Sequence, residues 1–169
     1  MIAVGGYIGL FALFGGMIFG MPGKGVSRVL IVEDDDMVRG FLSRVLEREG
    51  YQPLGVRTGE EALSHIRTPP GVDAVLIDGI LPDMHGVRLA YSILDEPTGT
   101  LVPICFVTGA LRDAKELVAG VGALGKPVRL ADLTGVVEMM MGWRTRGGSP
   151  IENRREALRR MEQGFLVGP

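Results

Sequence analysis

Cysteine is nearly absent from this chain. Cys105 stands alone, which excludes an intramolecular disulfide and any metal site built on several thiolates. It lies in the apolar run Val102-Pro-Ile-Cys-Phe-Val107 and reads as a buried, inert thiol, a usage that fits a reducing compartment. A large charge imbalance is also missing: the net charge is −2, so nothing global marks a nucleic-acid binder. Residues 1–23 contain no charged side chain at all.

The charge that is present is unevenly placed. Residues 26–142 carry 17 acidic and 11 basic side chains, whereas residues 143–169 carry 6 basic and 3 acidic ones. An acidic domain with a basic tail describes the 169 residues better than a neutral protein does. Three segments follow: an apolar stretch at 1–23, a domain at 26–142, and a linker with a terminal helix at 143–169.

As a helix the first segment would be about 33 Å long, enough to cross a bilayer's hydrocarbon core. Lys24 and Arg28 after it would hold the rest of the chain on the cytoplasmic side. A start at Met21, making residues 1–20 a spurious extension, is the alternative. No basic stretch precedes the apolar run, which counts against a cleaved signal.

The middle segment alternates short apolar runs with amphipathic stretches. Arg28–Val32 reads as a buried strand running into Glu33-Asp-Asp-Asp36, and Met37–Arg48 has helical spacing. A weak strand at 54–56, a helix at 58–66, a strand Ala74–Ile77 ending at Asp78, and a helix Val87–Leu94 come next. The run Val102–Val107 forms a strand ending at Thr108. A short helix is expected at Arg112–Ala119, a strand near Val121–Leu124 and a closing helix at Leu130–Met141. The sum is (βα)₅: an α/β fold with a doubly wound parallel five-stranded sheet, in which function gathers outside the carboxyl ends of the strands.

Those ends deliver Glu33 and Asp34, Asp78, Thr108 and then Lys126-Pro127 to one cleft. Crowded carboxylates either take up protons or hold a cation, and an all-oxygen ligand set suits Mg²⁺ better than zinc. With a lysine and a hydroxyl opposite, the cleft would cradle a phosphoryl group, and Asp is a known nucleophile for acyl-phosphate formation. Asp35 and Asp36 read as helix-capping residues, Asp83 as a turn residue, and His65 and His85 as structural or solvated.

Val29-Leu-Ile-Val-Glu-Asp-Asp-Asp36, Ala74-Val-Leu-Ile-Asp-Gly-Ile-Leu-Pro-Asp-Met-His-Gly86, Pro103-Ile-Cys-Phe-Val-Thr-Gly-Ala110 and Gly125-Lys-Pro127 together resemble the receiver domains of bacterial two-component response regulators. The resemblance covers about 115 residues, with 44 positions from Asp34 to Asp78 and 30 from Asp78 to Thr108. It implies a flavodoxin-like strand order 2-1-3-4-5 and a Mg²⁺-dependent phosphorelay in which Asp78 is the phosphoacceptor. Asp34 would bind the metal directly and Glu33 through water, with the backbone carbonyl of Ile80 as a further ligand. Lys126 would contact the phosphoryl oxygens, the Thr108 hydroxyl would swing toward them, and the Lys126–Pro127 bond would be cis. The donor would be a phosphohistidine on a sensor histidine kinase or histidine phosphotransfer protein, or a small acyl phosphate. A downstream protein partner is implied and nucleic acid is not. Such a receiver is modified once rather than turning over substrate, and it is cytoplasmic unless residues 1–23 tether it.

Two departures concern output. Only 18 positions separate Thr108 from Lys126, and Ala123 stands where the family often has a switch aromatic. The C-terminal Ser149-Pro-Ile-Glu152 is a capping box, followed by Ile151, Leu158, Met161 and Phe165 on one side, with Arg154, Arg155, Arg159 and Arg160 elsewhere. This helix is expected to dock on its own domain, on a partner or second copy, or on an anionic surface. Two other functions compete: an Asp-nucleophile phosphatase of the haloacid dehalogenase type, whose Asp-x-Asp spacing Asp34-Asp-Asp36 mimics, and a degenerate receiver serving only as a binding module.

Overall fold

The computed structural model describes residues 26–109 and 115–166. The apolar segment 1–23 and the first part of the helix expected at 112–119 lie outside these. Among the described residues no helix is long and apolar enough to cross a membrane.

The elements in chain order are β1 (Arg28–Val32), α1 (Asp36–Arg48), β2 (Gln52–Val56), α2 (Gly59–Arg67), β3 (Ala74–Asp78), α3 (Gly86–Asp95), β4 (Ile104–Thr108), β5 (Lys115–Val118), β6 (Val121–Gly125), α4 (Leu130–Thr145) and α5 (Ile151–Leu166). The sheet order is β2-β1-β3-β4-β6-β5. Its five parallel strands, β1, β2, β3, β4 and β6, follow the expected 2-1-3-4-5 order. The sixth strand, β5, is an addition at the edge and runs antiparallel to β6.

Strand alternation sorts the core into two layers. Leu30, Val32, Val75, Ile77, Ile104, Phe106, Val121 and Ala123 face one side, under α2, α3 and α5. Val29, Ile31, Ala74, Leu76, Cys105, Val107 and Leu124 face the other, under α1 and α4. With both faces covered, the central strands can be apolar throughout, which is why they read as continuous hydrophobic runs.

The expected helix at 112–119 is not what residues 115–118 form. Lys115-Glu-Leu-Val118 is strand β5, joined to β6 by the two-residue turn Ala119-Gly120, whose φ angles are +48° and +76°. Two consecutive positive φ values give a tight antiparallel reversal that matches strand twist. An eight-residue stretch offers too few repeats for periodicity to separate helix from strand, and the hairpin prevails.

Helix α5 covers the flank of the sheet beside α3. Ala157 and Leu158 are buried in the first layer, with Ile151 and Met161 packed against it. Tyr91 of α3 donates its hydroxyl proton to Glu162 (3.2 Å), and Arg155 pairs with Asp95. Of the docking options for the tail, the structure shows the chain's own domain. It also corrects the placement of Arg154 on the polar face. Arg154 follows Ile151 by three and precedes Leu158 by four, so it falls on the buried stripe and is fully covered. Its guanidinium donates to the carbonyls of Gly99 (3.2 Å), Thr100 and Val102 (2.6 Å), and lies 4.9 Å from the Trp143 ring centre. Burial brings its pKa down to about 10, so it is still charged at neutral pH.

Candidate functional site

The cleft lies where β1, β3 and β4 end together. β1 carries the chain into Glu33, which is buried, and Asp34, which is exposed. The backbone N–H of Glu33 donates to Val56 of β2 (3.1 Å), extending the ladder one residue past the strand. Asp35 then caps α1, its carboxylate accepting from the N–H groups of Met37 (2.8 Å) and Val38 (3.0 Å). The capping role read from the sequence is seen at Asp35. Asp36 opens the helix and pairs with Arg39 and Arg57.

β3 delivers Asp78 half-buried at its last position. The chain turns back through an isolated bridge between Ile80 and His85, and Gly86 donates its N–H to Gly79 (2.9 Å). A β-carbon on Gly86 would lie 2.2 Å from the Asp78 carbonyl oxygen, so only glycine lets α3 start this close to the end of β3. His85 is exposed at the N-cap of α3 and contributes no side-chain cap.

Thr108 ends β4 and is buried, at 7% exposure. A β-carbon on Gly79 would stand 3.1 Å from its hydroxyl oxygen, which places that hydroxyl beside the residue following Asp78. The Lys126 N–H donates to the Thr108 carbonyl (2.9 Å), and the Lys126–Pro127 peptide is cis. A second cis bond, Pro69–Pro70, lies away from the cleft. Lys126 reaches in with its ammonium 3.1 Å from Asp78 Oδ2 and 2.8 Å from Glu33 Oε2. The contact to Glu33 is close but poorly aligned, leaving that buried oxygen without a well-directed donor.

One carboxylate oxygen from each of Glu33, Asp34 and Asp78 lies within 4.8 Å of the others. Three carboxylates face one ammonium, so the cleft carries surplus negative charge. Burial pushes the Glu33 carboxyl above its ordinary value and the Asp78 charge adds to that, while Lys126 and the Asp35 N–H work in the opposite direction. Burial alone would lower the Lys126 ammonium. Its contacts with Glu33 and Asp78 outweigh that and hold it above its usual value, firmly charged. A buried oxygen lacking a directed donor, within an all-oxygen cluster of excess charge, fits a hard divalent cation.

Sequence reasoning thus brought together Glu33, Asp34, Asp78, Thr108 and Lys126, which lie at one cleft, with Ile80 two residues beyond Asp78. It missed Asp83, which is no simple turn residue: its carboxylate accepts from the N–H groups of Gly59 (2.9 Å) and Glu60 (3.0 Å), adding to the cap that Thr58 gives α2 through the Glu61 N–H. It also missed Arg39 and Arg57. The Asp36–Arg39 spacing of three on a helix was a legible signal for the first pair, but no pattern along the chain announces Arg57.

This chain belongs to the response regulator receiver domain family, whose profile matches residues 29–138, and its function is signal transduction by two-component phosphorelay. The response regulator receiver protein CpdR of Brucella abortus is 31% identical over 121 residues, a match spanning 69% of this chain and 98% of that protein. Sensor kinase CckA of the same organism is 34% identical over 123 residues, 70% of this chain but 13% of the kinase. Among solved structures, the receiver domain of the Pseudomonas aeruginosa sensor histidine kinase PA1611 carries magnesium coordinated in its active-site cleft. It matches with a TM-score of 0.59 at 26% identity, covering 70% of this chain and 99% of that one. The relatives named above are receiver and two-component proteins, and none is a phosphatase of the haloacid dehalogenase type. The pairing of Asp36 with Arg39 and Arg57 also removes it from the second position of a catalytic Asp-x-Asp.

Proposed function

We propose that Asp78 accepts the phosphoryl group, in a cleft where Glu33, Asp34 and Asp78 with the Ile80 carbonyl hold Mg²⁺, Glu33 through a water. The observation that carries this reading is the reach of Lys126 to both Asp78 and Glu33 on the rim of the carboxylate cluster. A divalent cation bound there would neutralise charge on the phosphoryl oxygens. The chain's own residues do the rest. An Asp78 oxygen attacks phosphorus, the bond to the donor's imidazole nitrogen breaks, and the electron pair leaves with the imidazole. Lys126, charged at all ordinary pH, then faces the new phosphoryl oxygens. The Thr108 hydroxyl, held beside Gly79, is placed to donate to one of them.

The donor is a phosphohistidine of a sensor histidine kinase or histidine phosphotransfer protein, or a small acyl phosphate. The domain is a switch modified once per cycle rather than a turnover enzyme, it works in the cytoplasm, and its output is contact with a downstream protein. Residues 26–142 act as the receiver, with α5 packed on the first layer of its core. Intact-mass measurement after incubation with acetyl phosphate and Mg²⁺ tests the assignment. Wild type gains one phosphoryl group and Asp78→Asn gains none. An unmodified wild type, or an equal adduct on the variant, would overturn it.

A further inference from the structure

We infer that Arg39 is a positioning residue for the divalent cation: it holds the loop that carries Glu33 and Asp34 so that their carboxylates face Asp78. The inference rests on the reading of the cleft as a cation site.

Arg39 lies in the first turn of α1 with 18% of its side chain exposed, pointing back over the loop that precedes its own helix. One guanidinium nitrogen donates to the carbonyl of Glu33 at 2.8 Å and reaches that of Asp34 at 3.4 Å. Fixing both carbonyls orients two successive peptide planes, and the two carboxylates hang from those planes. Preceding Asp35, which is spent on the helix cap, these two residues have few other backbone restraints among the described residues: the Glu33 N–H donates to Val56, and the Glu33 carboxylate accepts from the Asp35 N–H (3.3 Å) and meets the Lys126 ammonium. The other guanidinium nitrogen is occupied by Asp36, whose second oxygen accepts from Arg57 at 2.6 Å. Asp36 therefore neutralises Arg39 on the side away from the cleft.

The neighbouring strand accommodates this path. Gly55 of β2 pairs with Ile31 in the sheet, and a β-carbon there would meet the Arg39 stem at 3.0 and 3.2 Å. A β-carbon at Gly55 would force the Arg39 stem to give way by a few tenths of an ångström, and the branched side chain of valine by more, without altering any charge.

Charge and positioning make opposite predictions, which allows a decision. Removing a positive charge a few residues from a cation site should tighten cation binding if Coulomb energy alone matters. Removing a residue that aims the ligands should weaken it, and loss of such supporting contacts typically costs about 10-fold or more. The experiment is calorimetric titration of the full chain with Mg²⁺, and separately Mn²⁺, at a temperature where each variant is folded by circular dichroism. Arg39→Gln should bind about 10-fold more weakly, with Arg39→Lys, able to satisfy one carbonyl, in between. Arg57→Gln removes an equal charge from the same carboxylate without touching the loop, and should bind no more weakly than wild type. If Arg39→Gln does not fold, the charge-neutral Gly55→Val carries the test, with weaker binding again expected. Wild-type affinity in the variant that is measured, or tighter, would overturn the inference alone. Absence of saturable binding to wild type, or binding unaffected by Asp34→Asn, would overturn the cation reading and the inference with it.

Discussion

Single residues at the cleft matter mostly through the backbone groups they engage. Asp83 is the clearest case, since its carboxylate closes the N-terminus of α2 while lying 23 or more positions away in sequence. Replacing it with alanine should cost about 0.5–1 kcal/mol, the usual worth of an N-terminal cap, read as a lower urea midpoint. Burial works against its ionised form, but the Gly59 and Glu60 N–H groups prevail and hold its carboxyl below the ordinary range. A folded pKa lower than the unfolded one means that the stabilisation is complete above about pH 4 and fades as pH falls through the folded value. The gap between wild type and Asp83→Ala should therefore be constant near neutrality and close on acidification; a gap that widened in acid would refute this account. The sequence made Asp78 and its four companions legible, because a strand that ends in a polar residue exposes it. Asp83 was not legible in its true role, since what it caps depends on how two loops meet in space.

At the level of elements, the short stretch between Thr108 and Lys126 and the small side chain of Ala123 turn out to be linked. No crossover helix lies among the described residues between β4 and β6; the hairpin β5–β6 returns the chain instead. The face left bare is taken by α5, which rests on β6 and α3. Ala123 is fully buried in the layer that contains Ala157 and Leu158, so an aromatic ring there would need the space α5 fills. Ala123→Phe should accordingly destabilise by about 1–3 kcal/mol through overpacking, measured by thermal unfolding. An unchanged midpoint would show that α5 yields easily. The shortening was countable in the sequence and the tail's capping box was visible. Their relation was not, because nothing local states which surface a terminal helix will cover.

For the molecule as a whole, the last helix covers part of the first core layer. Burying Leu158 alone is worth about 1.5–3 kcal/mol, set against the 5–15 kcal/mol that typically separates folded from unfolded domains. Arg154 adds donors to three carbonyls of the loop before β4, which would otherwise need water. A chain ending at Gly148 should lose cooperative unfolding and bind a hydrophobic dye. A sharp, wild-type-like transition would show that the first core layer stands without its cover. Most of the architecture could be read from alternating patterns, because both faces of the sheet are covered and the buried strands announce themselves. Arg154 could not, because a charged residue on an apolar stripe reads as solvated until its carbonyl partners are seen.

The direction of α5 can be read from its contacts with α3. α3 starts beside Asp78 and runs away from it; Asp95 near its far end meets Arg155 early in α5, and Tyr91 further up meets Glu162 later. The terminal helix therefore climbs back toward the rim that holds Asp78. Here the last described helix points back toward the pole that holds Asp78, so the carboxylate cleft and the end of α5 lie toward one side of the molecule.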